Sequence, residues 1–107
     1  MNIKIKYSPE SLNDLDAIWE YIFIELANPD AADHVINSIM EAISNLETFP
    51  EMGAPLSSVT DIESDYRFIS SGGYLIFYRS EDKNVYIDRI LYGKRDYLSI
   101  LFPEKRN

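Results

Sequence analysis

"YRFISSGGYLIFYRSEDKNVYIDRILY", residues 66–92, is the stretch that decides the fold. Three runs rich in aromatic and β-branched residues, 66–70, 74–80 and 85–92, each have the length of a strand. They are separated only by "SGG" and "EDKN", and turns this short join antiparallel neighbours. A three-stranded meander is therefore predicted. By strict alternation Val85, Ile87, Arg89 and Leu91 share one face of the last run, and Tyr86, Asp88, Ile90 and Tyr92 the other. Neither face is purely apolar, so the pattern leaves the core face open.

Upstream the apolar period changes. In "SPESLNDLDAIWEYIFIEL", Ser8 reads as a helix cap, Pro9 as the first helical residue, and Glu10 as an acid placed at the positive end of the helix dipole. Leu12, Leu15, Trp19, Ile22 and Leu26 then recur at spacings of 3 and 4, widened by Ile18 and Phe23. This predicts a helix over about 9–27 with Trp19 in the core. "NPDAAD" repeats the start signal at Asn28, and Ala32, Val35, Ile36, Ile39, Met40, Ile43 and Leu46 form a second stripe to about residue 48. So short a connection folds the two helices into an antiparallel hairpin.

"IKIKY", residues 3–7, alternates like a short strand, and residues 49–65 read as a long surface loop. After Gly93, "DYLSILF" reads as a short helix capped by Asp96, and "PEKRN" is expected to fray. The order is β-α-α-β-β-β-(α), an α+β plan in which a helical hairpin covers one face of a small antiparallel sheet and leaves the other open unless something else covers it. At 107 residues, 46% apolar and 26% charged, the chain is expected to be one domain, residues 1–107. It has no cysteine, no apolar run of membrane-spanning length and no signal-peptide core. These features give the expectation of a cytoplasmic protein without a membrane partner.

Charge is unevenly placed. Residues 1–66 carry two cations, Lys4 and Lys6, against thirteen acids, a sum of −11; residues 67–107 carry eight cations against five acids, a sum of +3, for −8 overall. The acids either solvate the helices or set up an asymmetric field. The adjacent Lys94 and Arg95 follow a glycine where a strand ends and a helix begins, a poor place to use two cations in packing. They point to an anionic partner.

Few other chemistries are available. The single histidine, His34, falls on the polar side of the second helix. No pattern matches a metal site, a phosphate-binding glycine loop or a nucleophile triad, so no metal or cofactor is expected. What remains is the arginine, lysine and tyrosine set of the sheet and its edge, including Arg67, Arg89, Lys94, Arg95 and Tyr97. Such groups can hold phosphate or stack on bases. Equally, the tyrosines can pack against the helices, and Arg79 and Arg89 can pair with Asp88 or Glu81 across strands.

In its whole plan the chain resembles the RelE/ParE superfamily of type II toxin–antitoxin toxins. The likeness is carried by "YSPESLNDLDAIWEYI", "LETFPEMGAPL", "YLIFYR" and "VYIDRILYGKRDY", in the family's order. It implies a small bacterial toxin neutralised by a cognate antitoxin. The ParE-like branch implies inhibition of DNA gyrase by protein binding, with Arg67, Arg89, Lys94, Arg95 and Tyr97 as target-binding residues. The RelE-like branch implies an mRNA endonuclease acting on the ribosome, with Arg67 and Arg95 at catalytic positions and Lys94 and Tyr97 as further candidates. Against that branch, Ile69, Leu75 and Leu101 stand where it carries a lysine, an arginine and a tyrosine. The wording "YLIFYR…GKRDY" sits closer to the ParE-like branch.

Overall fold

A computed structural model describes residues 3–105. Strand β1 (Lys4–Tyr7) leads into helices α1 (Pro9–Glu20) and α2 (Pro29–Ser44); strands β2 (Ala54–Pro55), β3 (Arg67–Ser71), β4 (Tyr74–Glu81) and β5 (Asn84–Tyr92) follow, and helix α3 (Tyr97–Leu101) comes last. The α+β plan and the helical hairpin are as expected. The sheet has five strands in the order β1-β5-β4-β3-β2. Strands β2 to β5 pair antiparallel, but β1 runs parallel to β5, so the sheet is mixed. A parallel partner cannot be read from alternation, because it pairs residues about 80 positions apart, Lys4 with Asn84.

Both helix starts are built as their caps predict. The Ser8 hydroxyl accepts from the Ser11 amide at 2.9 Å and donates to the Asp88 carbonyl at 2.8 Å. The Asn28 side chain accepts from the Ala31 amide at 3.1 Å. The first helix departs from the expected span. After Glu20 it widens into a π turn, Tyr21–Glu25, and the chain reverses through Ala27 in the left-handed region at φ 49°. Such a turn inserts a residue and rotates the apolar stripe beyond it; upstream, in regular helix, the buried residue is Ser11, so the core-facing side of α1 differs from the expected stripe there too. Ile22 is buried, whereas Leu12, Trp19, Phe23 and Leu26 are exposed. Trp19, expected in the core, lies at the surface, stacked on Phe23 at 4.4 Å and donating to Asp33 at 3.4 Å. On α2 the expected stripe holds better: Ala32, Ile39, Ile43 and Leu46 are buried.

Both faces of the sheet are covered, so apolar residues fall on both. The hairpin packs on Ile76, Tyr78, Val85, Ile87 and Ile90. The face expected to be open carries a second cluster of Leu56, Phe77, Leu91 and Phe102, roofed by α3 and by Ile62 and Tyr66 of the long crossing. The strict alternation expected for β5 fails at Asp88. Tyr78 pairs with Ile87 and Phe77 with Arg89, so Asp88 is an extra residue, and the bulge puts Ile87 and Ile90 on one face. The 49–65 segment is not wholly loop, since it supplies β2 and a 3₁₀ turn at Leu56–Ser58. Residues Pro103–Lys105 form a 3₁₀ turn instead of fraying, and the expectation for residues 106 and 107 lies outside the described residues.

Candidate functional site

Strand β5 ends at Tyr92, and the next residues are tied down on both sides. The Gly93 amide donates to the Gly73 carbonyl at 2.8 Å, docking the chain on the β3–β4 hairpin. A Cβ on Gly93 would meet that carbonyl oxygen at 3.2 Å, tighter than ordinary contact, which suits glycine. Arg95 N–H then donates to Tyr92 at 3.0 Å and Tyr97 N–H to Arg95 at 2.8 Å. Asp96 caps α3, accepting from the Ser99 hydroxyl at 2.6 Å. Lys94 and Arg95 are thereby held on a short fixed turn with both side chains exposed. Neither side chain has an ion pair with a described residue.

The other sheet arginines are committed. Arg89 grips Asp14 of α1 through two hydrogen bonds of 2.8 Å, and the same carboxylate accepts the Ile90 amide at 2.9 Å. That hydrogen bonding holds the Arg89 guanidinium above its usual pKa. Arg79 pairs with Asp88 at 2.7 Å, with the same direction of shift and the same cause. Arg67 Nη1 donates to the carbonyls of Gly53 at 2.7 Å and Glu51 at 3.3 Å. Tyr97 packs its ring on Phe77 at 5.3 Å and belongs to the second core cluster.

The predicted residues therefore do not converge. Strand register sets Tyr92 in the row of Tyr74 and Ser71, and Arg67 in the row of Tyr78 and Ile87. Four rows at ~3.4 Å each separate the two ends of the sheet by roughly 14 Å. Lys94 and Arg95 form one exposed pair; Arg67 and Arg89 lie elsewhere, engaged with backbone and with α1. Proton transfer has few agents here. Burial raises the Tyr66, Tyr74 and Tyr78 phenols above their usual pKa, so they are poor bases near neutrality. His34 is exposed on α2. Among the described residues no group of three or more His, Cys, Asp or Glu side chains is placed to hold a metal ion. None of the described helices is long and apolar enough to cross a membrane.

Sequence reasoning missed one feature. Arg95 borders a groove of about 700 Å³ between the hairpin and the end of the sheet, lined by Tyr21, Ile22, Leu26, Val35, Tyr74 and Tyr92 among others. Tyr21, the first residue of the π turn, and Leu26, just after it, are both exposed and line this groove. The one signal in the sequence was excess: "AIWEYIFIEL" holds more apolar residues than a single helical stripe can bury.

The family model described as the ParE toxin of the parDE type II toxin–antitoxin system matches residues 5–97. Among solved structures, the chain is similar to one from the chromosomal ParDE toxin–antitoxin system of P. aeruginosa. That match has a TM-score of 0.70 and 22% identity, over 84% of this chain and 95% of that one. It is also similar to a chain of the RelBE2 toxin–antitoxin complex from Mycobacterium tuberculosis, with a TM-score of 0.59 and 18% identity, over 86% and 99%. At these identities the likeness is one of fold. No curated protein sequence matches the chain.

Proposed function

Because this chain belongs to the ParE toxin family of type II toxin–antitoxin systems, we propose that it arrests growth by docking on an essential protein, with DNA gyrase as the target. A cognate antitoxin neutralises it by covering the same surfaces. The observation that carries this reading is the division of labour among the cations. Arg67, Arg79 and Arg89 are engaged inside the molecule, while Lys94 and Arg95 stand exposed on a braced turn without an ion-pair partner among the described residues. RNA cleavage of the RelE type would need several cations and a proton acceptor gathered on one phosphate. Here Arg67 lies about 14 Å of sheet away from the end that carries Lys94, Arg95 and Tyr97. Two adjacent exposed cations beside an apolar groove suit recognition of a protein surface with an acidic patch.

The test is a gyrase supercoiling assay with purified toxin, run beside primer extension on ribosome-bound message. Inhibition of supercoiling that disappears in the double variant Lys94→Ala/Arg95→Ala supports the proposal. Supercoiling untouched at micromolar excess, together with cuts in the ribosomal A site, would replace it with the endonuclease reading.

A further inference from the structure

Phe49 is the most exposed of the large apolar side chains described, at 63%, and Met52 beside it is 53% exposed. Single exposed apolar residues are ordinary. These two differ because the backbone beneath them is fixed. The Thr48 and Phe49 amides both donate to the Asn45 carbonyl, at 3.2 and 3.0 Å, and the Met52 amide to the Phe49 carbonyl at 3.1 Å. The Gly53 amide donates to the hydroxyl of the fully buried Tyr78 at 2.9 Å. From the other side, Arg67 holds the carbonyls of Gly53 and Glu51. A Cβ on Gly53 would sit 2.7 Å from both the Phe68 carbonyl oxygen and the Tyr78 hydroxyl. The turn is therefore pressed against the sheet at a point only glycine fits.

The result is a fixed turn that displays Phe49 and Met52 at the surface, beside a hollow of about 420 Å³ lined by residues 48–52. Apolar side chains displayed on a fixed backbone lose little freedom on docking, which is the usual economy of a hot spot. The charge around them is acidic. Glu47 and Glu51 are exposed, and the Glu51 side chain, 72% exposed, touches Arg67 only at 3.9 Å. An acidic segment is repelled here; an apolar pocket with lysines or arginines on its rim is complementary.

We infer that the turn at residues 48–53 is a second docking surface, a plug whose Phe49 and Met52 enter a basic-rimmed apolar pocket on the protein that the toxin inhibits. Arg67 is its positioning residue. The inference rests on the proposed function in requiring a protein target, and it adds where and by what chemistry that target is gripped.

Growth arrest on induction and inhibition of purified gyrase are compared for wild type and for Phe49→Ser/Met52→Ser. The half-inhibitory concentration is expected to rise at least about tenfold, growth arrest to weaken, and the melting curve to stay in place. A double variant as potent as wild type overturns the plug. So does one that still arrests growth but escapes the co-expressed antitoxin, since the turn would then belong to that interface. Wild type that arrests growth yet spares gyrase defeats the gyrase reading alone, and growth arrest in the variant still decides the plug. If the double variant melts without cooperativity, Met52→Lys takes its place. For Arg67, the variant Arg67→Lys keeps the charge but cannot span two carbonyls. Loss of inhibition with faster exchange of the Gly53 amide supports positioning, and full potency refutes it.

Discussion

Helices α1 and α2 carry similar apolar patterns and meet opposite fates. Helix α2 lies over the sheet and buries Ala32, Ile39 and Ile43. Helix α1 runs along the side of β5, where β1 has stopped: β1 pairs with β5 only as far as Ile87. Beyond that row the backbone groups of β5 need partners, and α1 supplies them. Ser8 takes the Asp88 carbonyl, and Asp14 takes the Ile90 amide and the Arg89 guanidinium. The working face of α1 is thus partly polar: Ser11 and Asp14 share it with Leu15 and Ile18, which pack on the core, while Leu12 and Trp19 stay outside. A helix that finishes a sheet edge is selected for hydrogen bonds as much as for area, and part of its apolar surface stays outside the core.

Substitutions can break this contrast. The largest effect is expected on α2, where Ile43→Ala should cost about 2–5 kcal/mol in urea melts, as a methylene deletion in a packed core. A cost below about 1 kcal/mol would remove the distinction between the helices. On α1 the sensitive residue should be polar. Asp14→Ala leaves Arg89 and the Ile90 amide without their shared acceptor, and should cost about 2–4 kcal/mol, tempered because the pair is not fully dry. If Asp14→Ala melts like wild type, α1 does not finish the edge by this carboxylate. Trp19→Ala should cost only about 1 kcal/mol, the worth of an exposed stack on Phe23. A loss of about 3 kcal/mol or more would return Trp19 to the core. The smallest change in stability is expected at the rim, where Lys94→Ala/Arg95→Ala should shift the melt by no more than ~0.5 kcal/mol while relieving growth arrest. Loss of cooperative unfolding in that variant would make the pair structural.

Much of the fold was legible because it rests on local chemistry. The caps at Ser8, Asn28 and Asp96, the meander and the α2 stripe all follow from residues within one turn of helix or one hairpin. What escaped depends on distant partners. The bulge at Asp88 is stabilised by Ser8, and the parallel seat of β1 by the far end of the chain. The second core cluster escaped because α3 and the 49–65 crossing reach it from separate parts of the sequence. At the site, the exposure of Lys94 and Arg95 was readable from their place after Gly93. The engagement of Arg67 and Arg89 was not, since their acceptors lie 14 and 75 residues away. In a sheet whose strands β3, β4 and β5 carry one arginine each, residue type indicates capacity for anion binding, but only the fold shows which guanidinium is already occupied.

The seat of β1 has a consequence for how the chain is made. Strand β1 pairs with β5, the last strand of the described sheet in chain order, and Asp14 and Ser8 likewise wait for residues 88–90. During synthesis from the N-terminus, the sheet cannot close until residues 84–92 have emerged, since such distant pairings are late and slow to form. The nascent fold therefore stays open, and the rim at Lys94 and Arg95 unformed, until β5 has been made and has paired with β1.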